Sequence, residues 1–100
     1  MIDLAAEHLA EVRRILSFHV PDCEVWAFGS RVHGRSQRYS DLDLALVGPG
    51  SLGRRELERL RDAFSASDLP FLVDVVDWHD LSPAFREVIE RGYEVIQSAR

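Results

Sequence analysis

Two aspartates are the residues of this sequence whose type and spacing most directly suggest chemistry. Asp41 and Asp43 stand two positions apart, at the start of an apolar run that continues to Val47. Side chains at positions i and i+2 of a β-strand point to the same face, so the two carboxylates lie side by side if this run is a strand. Carboxylates this close repel each other unless a cation lies between them, and oxygen ligands suit Mg²⁺ or Mn²⁺.

A Gly-Ser pair closes the preceding apolar run, and ten residues separate it from the aspartates. Gly29 allows the backbone to approach another group closely. Ser30 begins a segment rich in Arg, Gly and Ser, and a short helical turn here would point its first amides at an anion such as phosphate. A phosphate-binding turn beside a carboxylate metal site is the chemistry that nucleotidyl transfer requires.

A third acid interrupts a later apolar run. Asp74 is the only polar residue in positions 71–76, a segment otherwise suited to burial in a sheet. A buried, unpaired carboxylate is costly, so we expect Asp74 to be protonated, paired or bound to metal. Asp77 has the opposite strand parity, and we interpret it as a solvated strand end.

Hydrophobic periodicity and chain breakers predict the elements that must position these acids. We predict helices over residues 3–18, from a Ser51 cap to Pro70, and from Ser82-Pro83 to Gly92; strands over 24–28, 41–47, 71–76 and 93–96; and one helical turn over 30–33 closed by Gly34. Strands this apolar need cover on at least one face, and three helices can supply it. The predicted class is α+β, a small mixed sheet flanked by helices, in a single domain of residues 1–100.

Composition restricts the class of partner and the compartment. A net charge of −5 argues against a broad nucleic-acid-binding surface. The single Cys23 excludes an internal disulfide and suits a reducing cytosol, and no apolar run approaches the length of a membrane span. We therefore expect a cytoplasmic protein. His33 has no second His or Cys at ligand spacing, so a zinc site is not predicted.

The Gly29-Ser30 pair, the ten intervening residues and Asp41-Leu42-Asp43 together resemble the signature of the polymerase-β-type nucleotidyltransferase superfamily. The short length and the Gly-Ser-Arg form resemble its minimal nucleotidyltransferase branch, found in HEPN/MNT toxin–antitoxin pairs. The resemblance covers nearly the whole chain, from about residue 25 to about residue 96. It implies a core like the palm of polymerase β, and the strand order comes from this resemblance alone.

The resemblance also implies roles for individual residues. Asp41 and Asp43 would bridge two Mg²⁺ ions, for which Mn²⁺ can substitute, and Asp74 would be the third ligand and help to activate the attacking hydroxyl. These three acids are the predicted catalytic and metal-binding residues. The predicted nucleotide-binding residues are Gly29, Ser30, Arg31 and Arg35, with Arg38 as a further candidate. A solvated basic loop is the alternative interpretation of the three arginines.

The activity implied by the resemblance is transfer of AMP from ATP to a tyrosine hydroxyl of a partner HEPN ribonuclease toxin, with this chain as the antitoxin. A chain of 100 residues can build a nucleotide site but little surface for an acceptor. We therefore expect a hetero-oligomer with a HEPN-type toxin, and the predicted core or partner-facing aromatics are Trp26, Trp78, Phe85 and Tyr93. Two alternatives stay open: nucleotidyl transfer to a small hydroxyl compound, as in aminoglycoside nucleotidyltransferases, and a non-catalytic antitoxin that acts by binding.

Overall fold

The computed structural model describes residues 2–34 and 40–100. Its elements, in chain order, are α1 (Ala6–His19), β1 (Glu24–Phe28), β2 (Leu42–Val47), α2 (Arg54–Ser65), β3 (Val73–Asp77), a 3₁₀ turn (Trp78–Asp80), α3 (Pro83–Glu90) and β4 (Tyr93–Gln97). The three predicted helices and four predicted strands are thus present. In this part of the chain, no helix is both long enough and apolar enough to cross a membrane.

The four strands form one mixed sheet in the order β3-β2-β1-β4. β1 is antiparallel to both of its neighbours, whereas β2 and β3 are parallel. A parallel pair needs a crossover connection, and α2 provides it between β2 and β3. The predicted α+β class with a small mixed sheet and flanking helices is confirmed.

One face of the sheet packs against α1 and α2 and holds the hydrophobic core. Alternation along each strand sends every second side chain to this face. The core cluster includes Val12 and Leu16 of α1, Leu60 and Phe64 of α2, and Val25, Ala27, Leu42, Leu44, Leu46, Val75 and Ile96 of the sheet. Burial of these side chains is the main source of stability for the fold.

The other face is called the carboxylate face here, and its members are Trp26, Phe28, Asp43, Ala45, Asp74, Val76, Tyr93 and Val95. Trp26 is stacked on Tyr93 with ring centroids 4.0 Å apart, and it meets Trp78 edge-on at 5.0 Å. Phe28 contacts Phe85 of α3 at 6.0 Å. Three of the four predicted aromatic residues, Trp26, Trp78 and Tyr93, therefore form one cluster, and the fourth, Phe85, packs on Phe28 of the same face.

Element boundaries differ from the prediction at several places, and α2 ends at Ser65, five residues before the predicted end at Pro70. α1 begins at Ala6 rather than residue 3, and β3 covers Val73–Asp77 rather than residues 71–76. The N-cap of α2 is Gly53, so the prediction that Ser51 caps this helix is wrong. The cap of α3 is confirmed, because the Phe85 N–H donates to the Ser82 hydroxyl oxygen at 3.2 Å.

Asp77 is buried, and its interpretation as a solvated strand end is wrong. Its side chain is 4% exposed, and it accepts hydrogen bonds from the Leu52 N–H at 2.7 Å and the His79 N–H at 3.0 Å. The His79 Nε2 lies 2.7 Å from the Gly48 carbonyl oxygen. The carboxylate is tolerated inside because it pairs with backbone donors, and it joins the segment before α2 to the end of β3.

Asp77→Ala should lower the free energy of unfolding by about 1–3 kcal/mol, because two backbone N–H groups lose their acceptor. Urea denaturation followed by circular dichroism measures this change. Asp80→Ala is the matched control, since Asp80 lies nearby and is exposed. Equal stability of the two variants would contradict a structural role for Asp77.

Candidate functional site

The register of β2 and β3 brings the predicted acids together. Asp43 and Asp74 are direct neighbours across this parallel pair, and Asp41 precedes β2 by one residue. Burial raises the pKa of Asp43, and the negative charges of Asp74 and Asp41 raise this pKa further. Asp43 therefore lies close enough to Asp41 and to Asp74 to be repelled by both, and we call these three residues, at one end of the carboxylate face, the acid cluster.

The acids differ in exposure, and the expectation that Asp74 is buried is wrong. Asp43 is half-buried, whereas Asp41 and Asp74 are exposed. Asp74 was expected in a buried position, but Val75 and Asp77 are the β3 residues that face the core. Because both faces of this strand carry valines, its sequence does not reveal which parity is buried. Asp74 is thus open to solvent and to an incoming substrate.

Gly29 packs directly on the Asp43 carboxylate. Phe28 is opposite Asp43 in the antiparallel β1–β2 pair, so Gly29 lies just beyond it. A Cβ added at Gly29 would collide with the Asp43 Oδ2 and lie 3.4 Å from its Cγ. The backbone here also has φ +83°, a conformation that favours glycine. The close approach predicted for Gly29 is present, and its target is the central acid.

The segment after Gly29 forms the predicted single helical turn. The N–H groups of Val32 and His33 both donate to the Gly29 carbonyl oxygen at 3.1 Å. The turn ends at Gly34, which has φ +72°. Ser30 therefore begins a turn that starts at the acid cluster, which is where a phosphate-binding residue is needed.

Arg31 makes contacts that its position in a polar loop does not indicate. Its side chain is 6% exposed, and its guanidinium donates to the Ser40 carbonyl oxygen at 3.0 Å and to the Asp3 carbonyl oxygen at 2.9 Å. These contacts give no support to the prediction that Arg31 contacts phosphate. Arg35 and Arg38, the other predicted phosphate contacts, lie outside the described residues. An Arg between two glycines in a polar loop carries no sequence signal of such burial.

The acid cluster fits a divalent cation in its donor chemistry. It offers carboxylate oxygens alone, the ligands that suit Mg²⁺ or Mn²⁺, and the mutual repulsion at Asp43 is what a cation relieves. Among residues 2–34 and 40–100, no three Asp, Glu, His or Cys side chains converge closely enough to hold an ion. Ligation of one ion by all three acids therefore requires rotation of their side chains.

Exposed apolar side chains accompany the acids. Tyr93 and Val95 lie on the carboxylate face, and Phe85 and Val88 project from α3; each is 38–51% exposed. Leu72, two residues before Asp74, is also exposed. The sequence predicted surplus aromatic area, and the structure adds the aliphatic Val88 and Val95 to it.

Comparison with known proteins decides the family. Residues 9–98 match the family described as nucleotidyltransferase domain. The probable protein adenylyltransferase MntA of Haemophilus influenzae (strain ATCC 51907 / DSM 11121 / KW20 / Rd) is 51% identical over 96 residues, which cover 96% of this chain and 84% of that protein. This chain belongs to the nucleotidyltransferase domain family. The resemblance drawn from Gly29-Ser30 and the paired aspartates is confirmed.

Solved structures share the nucleotidyltransferase fold. A crystal structure of a toxin–antitoxin with AMP-PNP is similar with a TM-score of 0.76 at 22% identity, covering 92% of this chain and 74% of that one. A complex of tri-AMPylated Shewanella oneidensis HEPN toxin with MNT antitoxin gives 0.67 at 20% identity, covering 93% of this chain and 71% of that one. At these identities the likeness shows the fold alone, and it confirms the predicted core.

Asp43→Asn should raise the free energy of unfolding of the metal-free protein at neutral pH. The folded protein raises the pKa of Asp43 above the ordinary value of 3.8, so ionisation of this group opposes folding at every pH above the raised pKa. The stabilisation should therefore decline as pH falls through the raised pKa and vanish below 3.8. Urea denaturation in chelator across this pH range measures it.

Asp68→Asn is the control for this pH series, because Asp68 is exposed and lies outside the acid cluster. Its effect on stability should not change with pH in the same way. A destabilised Asp43→Asn protein at neutral pH would mean that Asp43 has a structural role that outweighs the repulsion.

Proposed function

We propose that this chain is a magnesium-dependent protein adenylyltransferase that transfers AMP from ATP to a tyrosine hydroxyl of a HEPN-type partner toxin. The observation that carries the proposal is the packing of Gly29 on the Asp43 carboxylate, with Asp74 in register beside it. This packing joins the start of a phosphate-binding turn to the acid cluster. The MntA relative, named a probable protein adenylyltransferase, supports the activity, and the toxin–antitoxin structures support the partner.

The acid cluster and the turn have separate tasks in this proposal. Asp41, Asp43 and Asp74 would hold two Mg²⁺ ions, or Mn²⁺, which neutralise phosphate charge and lower the pKa of the attacking hydroxyl. Gly29 and Ser30 would bind the phosphates of ATP at the start of the turn. Arg35 would contact phosphate as well.

The reaction itself is a displacement at phosphorus. The tyrosine oxygen attacks the α-phosphorus of ATP, the bond from this phosphorus to the bridging oxygen breaks, and pyrophosphate leaves with the electron pair. The hydroxyl proton passes to a carboxylate or to water. Asp74 suits this role because it is exposed on the carboxylate face, where an acceptor can reach it.

The acceptor protein would approach over the carboxylate face. Tyr93 and Val95 expose apolar area on this face, and Phe85 and Val88 expose apolar area on α3. Aromatic residues are enriched at the centres of interfaces. Contact with these side chains would bring a partner tyrosine alongside the acids. We place the reaction in the cytoplasm, where a free, buried Cys23 stays reduced.

ATP should bind only weakly without a divalent cation, because three carboxylates repel a triphosphate in its absence. Isothermal titration calorimetry with Mg²⁺ or Mn²⁺ and then in excess chelator compares the two affinities. We expect a loss of at least about tenfold in chelator, the lower end of the range for disrupted metal sites. Equal affinity under both conditions would contradict the carboxylate metal site.

Co-expression with a HEPN-type partner should add one or more AMP groups to the partner, as seen by intact-mass measurement. Asp41→Ala combined with Asp43→Ala should abolish the mass shift, because the cluster loses two of its three metal ligands, and should leave the complex intact. Val88→Asp is the matched surface variant. It should weaken the complex, because a charge on an apolar interface is costly, without changing ATP binding.

The same experiment distinguishes the alternatives. If the wild-type chain binds and neutralises the partner while the partner stays unmodified, the chain is a non-catalytic antitoxin. If no protein is labelled but a small hydroxyl compound receives the nucleotide, the acceptor is wrong and nucleotidyl transfer stands.

A further inference from the structure

Arg31 is buried beside the acid cluster by contacts with Asp3, Ser40 and Phe71, which we call the Arg31 contacts. Its Nε donates to the Ser40 carbonyl oxygen at 3.0 Å, and its Nη1 donates to the Asp3 carbonyl oxygen at 2.9 Å. Its Cζ lies 4.4 Å from the centroid of the Phe71 ring. The Arg31 carbonyl in turn accepts from the Asp3 N–H at 2.7 Å. The guanidinium thus joins three segments that are far apart in sequence.

Both neighbours of Asp41 are held by hydrogen bonds, one of them from Arg31. Ser40, which accepts from Arg31, directly precedes Asp41. On the other side, the Leu42 N–H donates at 2.9 Å to the carbonyl of Leu72, the residue that follows Phe71. The backbone of Asp41 is therefore held between Ser40, which accepts from Arg31, and Leu42, which donates to Leu72.

The segment of residues 2–3 gives Arg31 a fixed support. Ile2 is buried in the hydrophobic core, and its N–H donates to the Glu94 carboxylate at 2.9 Å. Asp3, the next residue, exchanges two hydrogen bonds with Arg31. The Arg31 contacts are thus linked to β4 through Ile2 and Glu94, and to the segment before β2 through Ser40.

Arginine suits this position for reasons of geometry. Its planar fork presents several N–H donors in fixed directions, so one side chain reaches two carbonyls while its face lies on an aromatic ring. Lysine keeps the charge but offers neither the fork nor the flat face.

We propose that Arg31 is a positioning residue that holds the Asp41 backbone so that its carboxylate can serve the metal site. The proposal rests on the metal site of the proposed function, and it replaces the assignment of Arg31 as a phosphate contact. Its effect should therefore be detectable in cation binding without any nucleotide.

The test is Mn²⁺ binding to the nucleotide-free protein, measured by electron paramagnetic resonance of the unbound ion. Arg31→Gln should weaken Mn²⁺ binding by about tenfold, the size expected when a residue that orients a ligand is lost. Arg31→Lys should weaken it in the same direction. Arg13→Gln is the matched control, because the Arg13 Nε also donates to a backbone carbonyl, that of Ile96, at 3.0 Å. It should leave Mn²⁺ affinity unchanged.

The sign of the Arg31→Gln effect separates positioning from other roles. If Arg31 acted only as a nearby positive charge, its removal would strengthen Mn²⁺ binding, since like charges repel. If it contacted phosphate, Mn²⁺ binding would be unchanged and only the affinity for ATP with Mg²⁺ would fall. Either result overturns the proposal.

Phe71→Leu is the second variant, and it is decisive if the Arg31 variants do not fold. It keeps Arg31 but removes the ring beneath it, so Mn²⁺ affinity should fall by about threefold. A folded Phe71→Leu protein with wild-type Mn²⁺ affinity would contradict the proposal that the Arg31 contacts position Asp41.

Failure of the proposed function gives a different pattern. Absence of Mn²⁺ binding by the wild-type protein overturns the metal site and this proposal together. Wild-type binding that Arg31→Gln does not weaken overturns this proposal alone. Weakened Mn²⁺ binding without transfer to any protein leaves the role of Arg31 standing and removes the acceptor.

Discussion

The contact between Gly29 and the Asp43 carboxylate is the constraint on which the site depends. It exists because β1 and β2 are antiparallel neighbours whose register places Phe28 opposite Asp43. The chain turns away at the next residue with φ +83°, directly above the acid. Any side chain at this position would displace the carboxylate and strain the backbone at once. The contact between the Gly29 backbone and Asp43 thus joins the turn to the acid cluster, and the pairing of β1 with β2 keeps it in place.

The two faces of the sheet have different roles, one in stability and the other at the candidate site. The face under α1 and α2 is apolar and closely packed, and its burial provides the stability of the fold. The carboxylate face instead carries repelling acids and exposed apolar side chains, both of which are unfavourable in an isolated protein. Such features are expected at a binding site, because groups that are already paired within the protein are not available to bind a ligand. Asp77 shows the contrast, since it is an acid on the packed face whose two oxygens each accept a hydrogen bond from a backbone N–H.

Arg31 illustrates how a basic residue of a polar turn can be buried by the fold. Its guanidinium donates to two backbone carbonyl oxygens and lies over an aromatic ring. The burial of Arg31 also connects residues 2–3 to the site, although they lie far from the acids in sequence.

The sequence by itself determined the family, the α+β class and the acids that meet, because these follow from local patterns. The spacing of Gly29-Ser30 and Asp41-Leu42-Asp43 is a backbone requirement, and the apolar periodicities that indicate three helices and four strands are set within each segment. What only the tertiary structure decided is which face each side chain occupies. Valines on both sides of β3 conceal its parity, so Asp74 and Asp77 exchanged their expected environments. The partners of Arg31 were equally hidden, because a guanidinium can bind phosphate, carboxylate or carbonyl oxygen, and the choice among them depends on which oxygens the folded chain brings within reach.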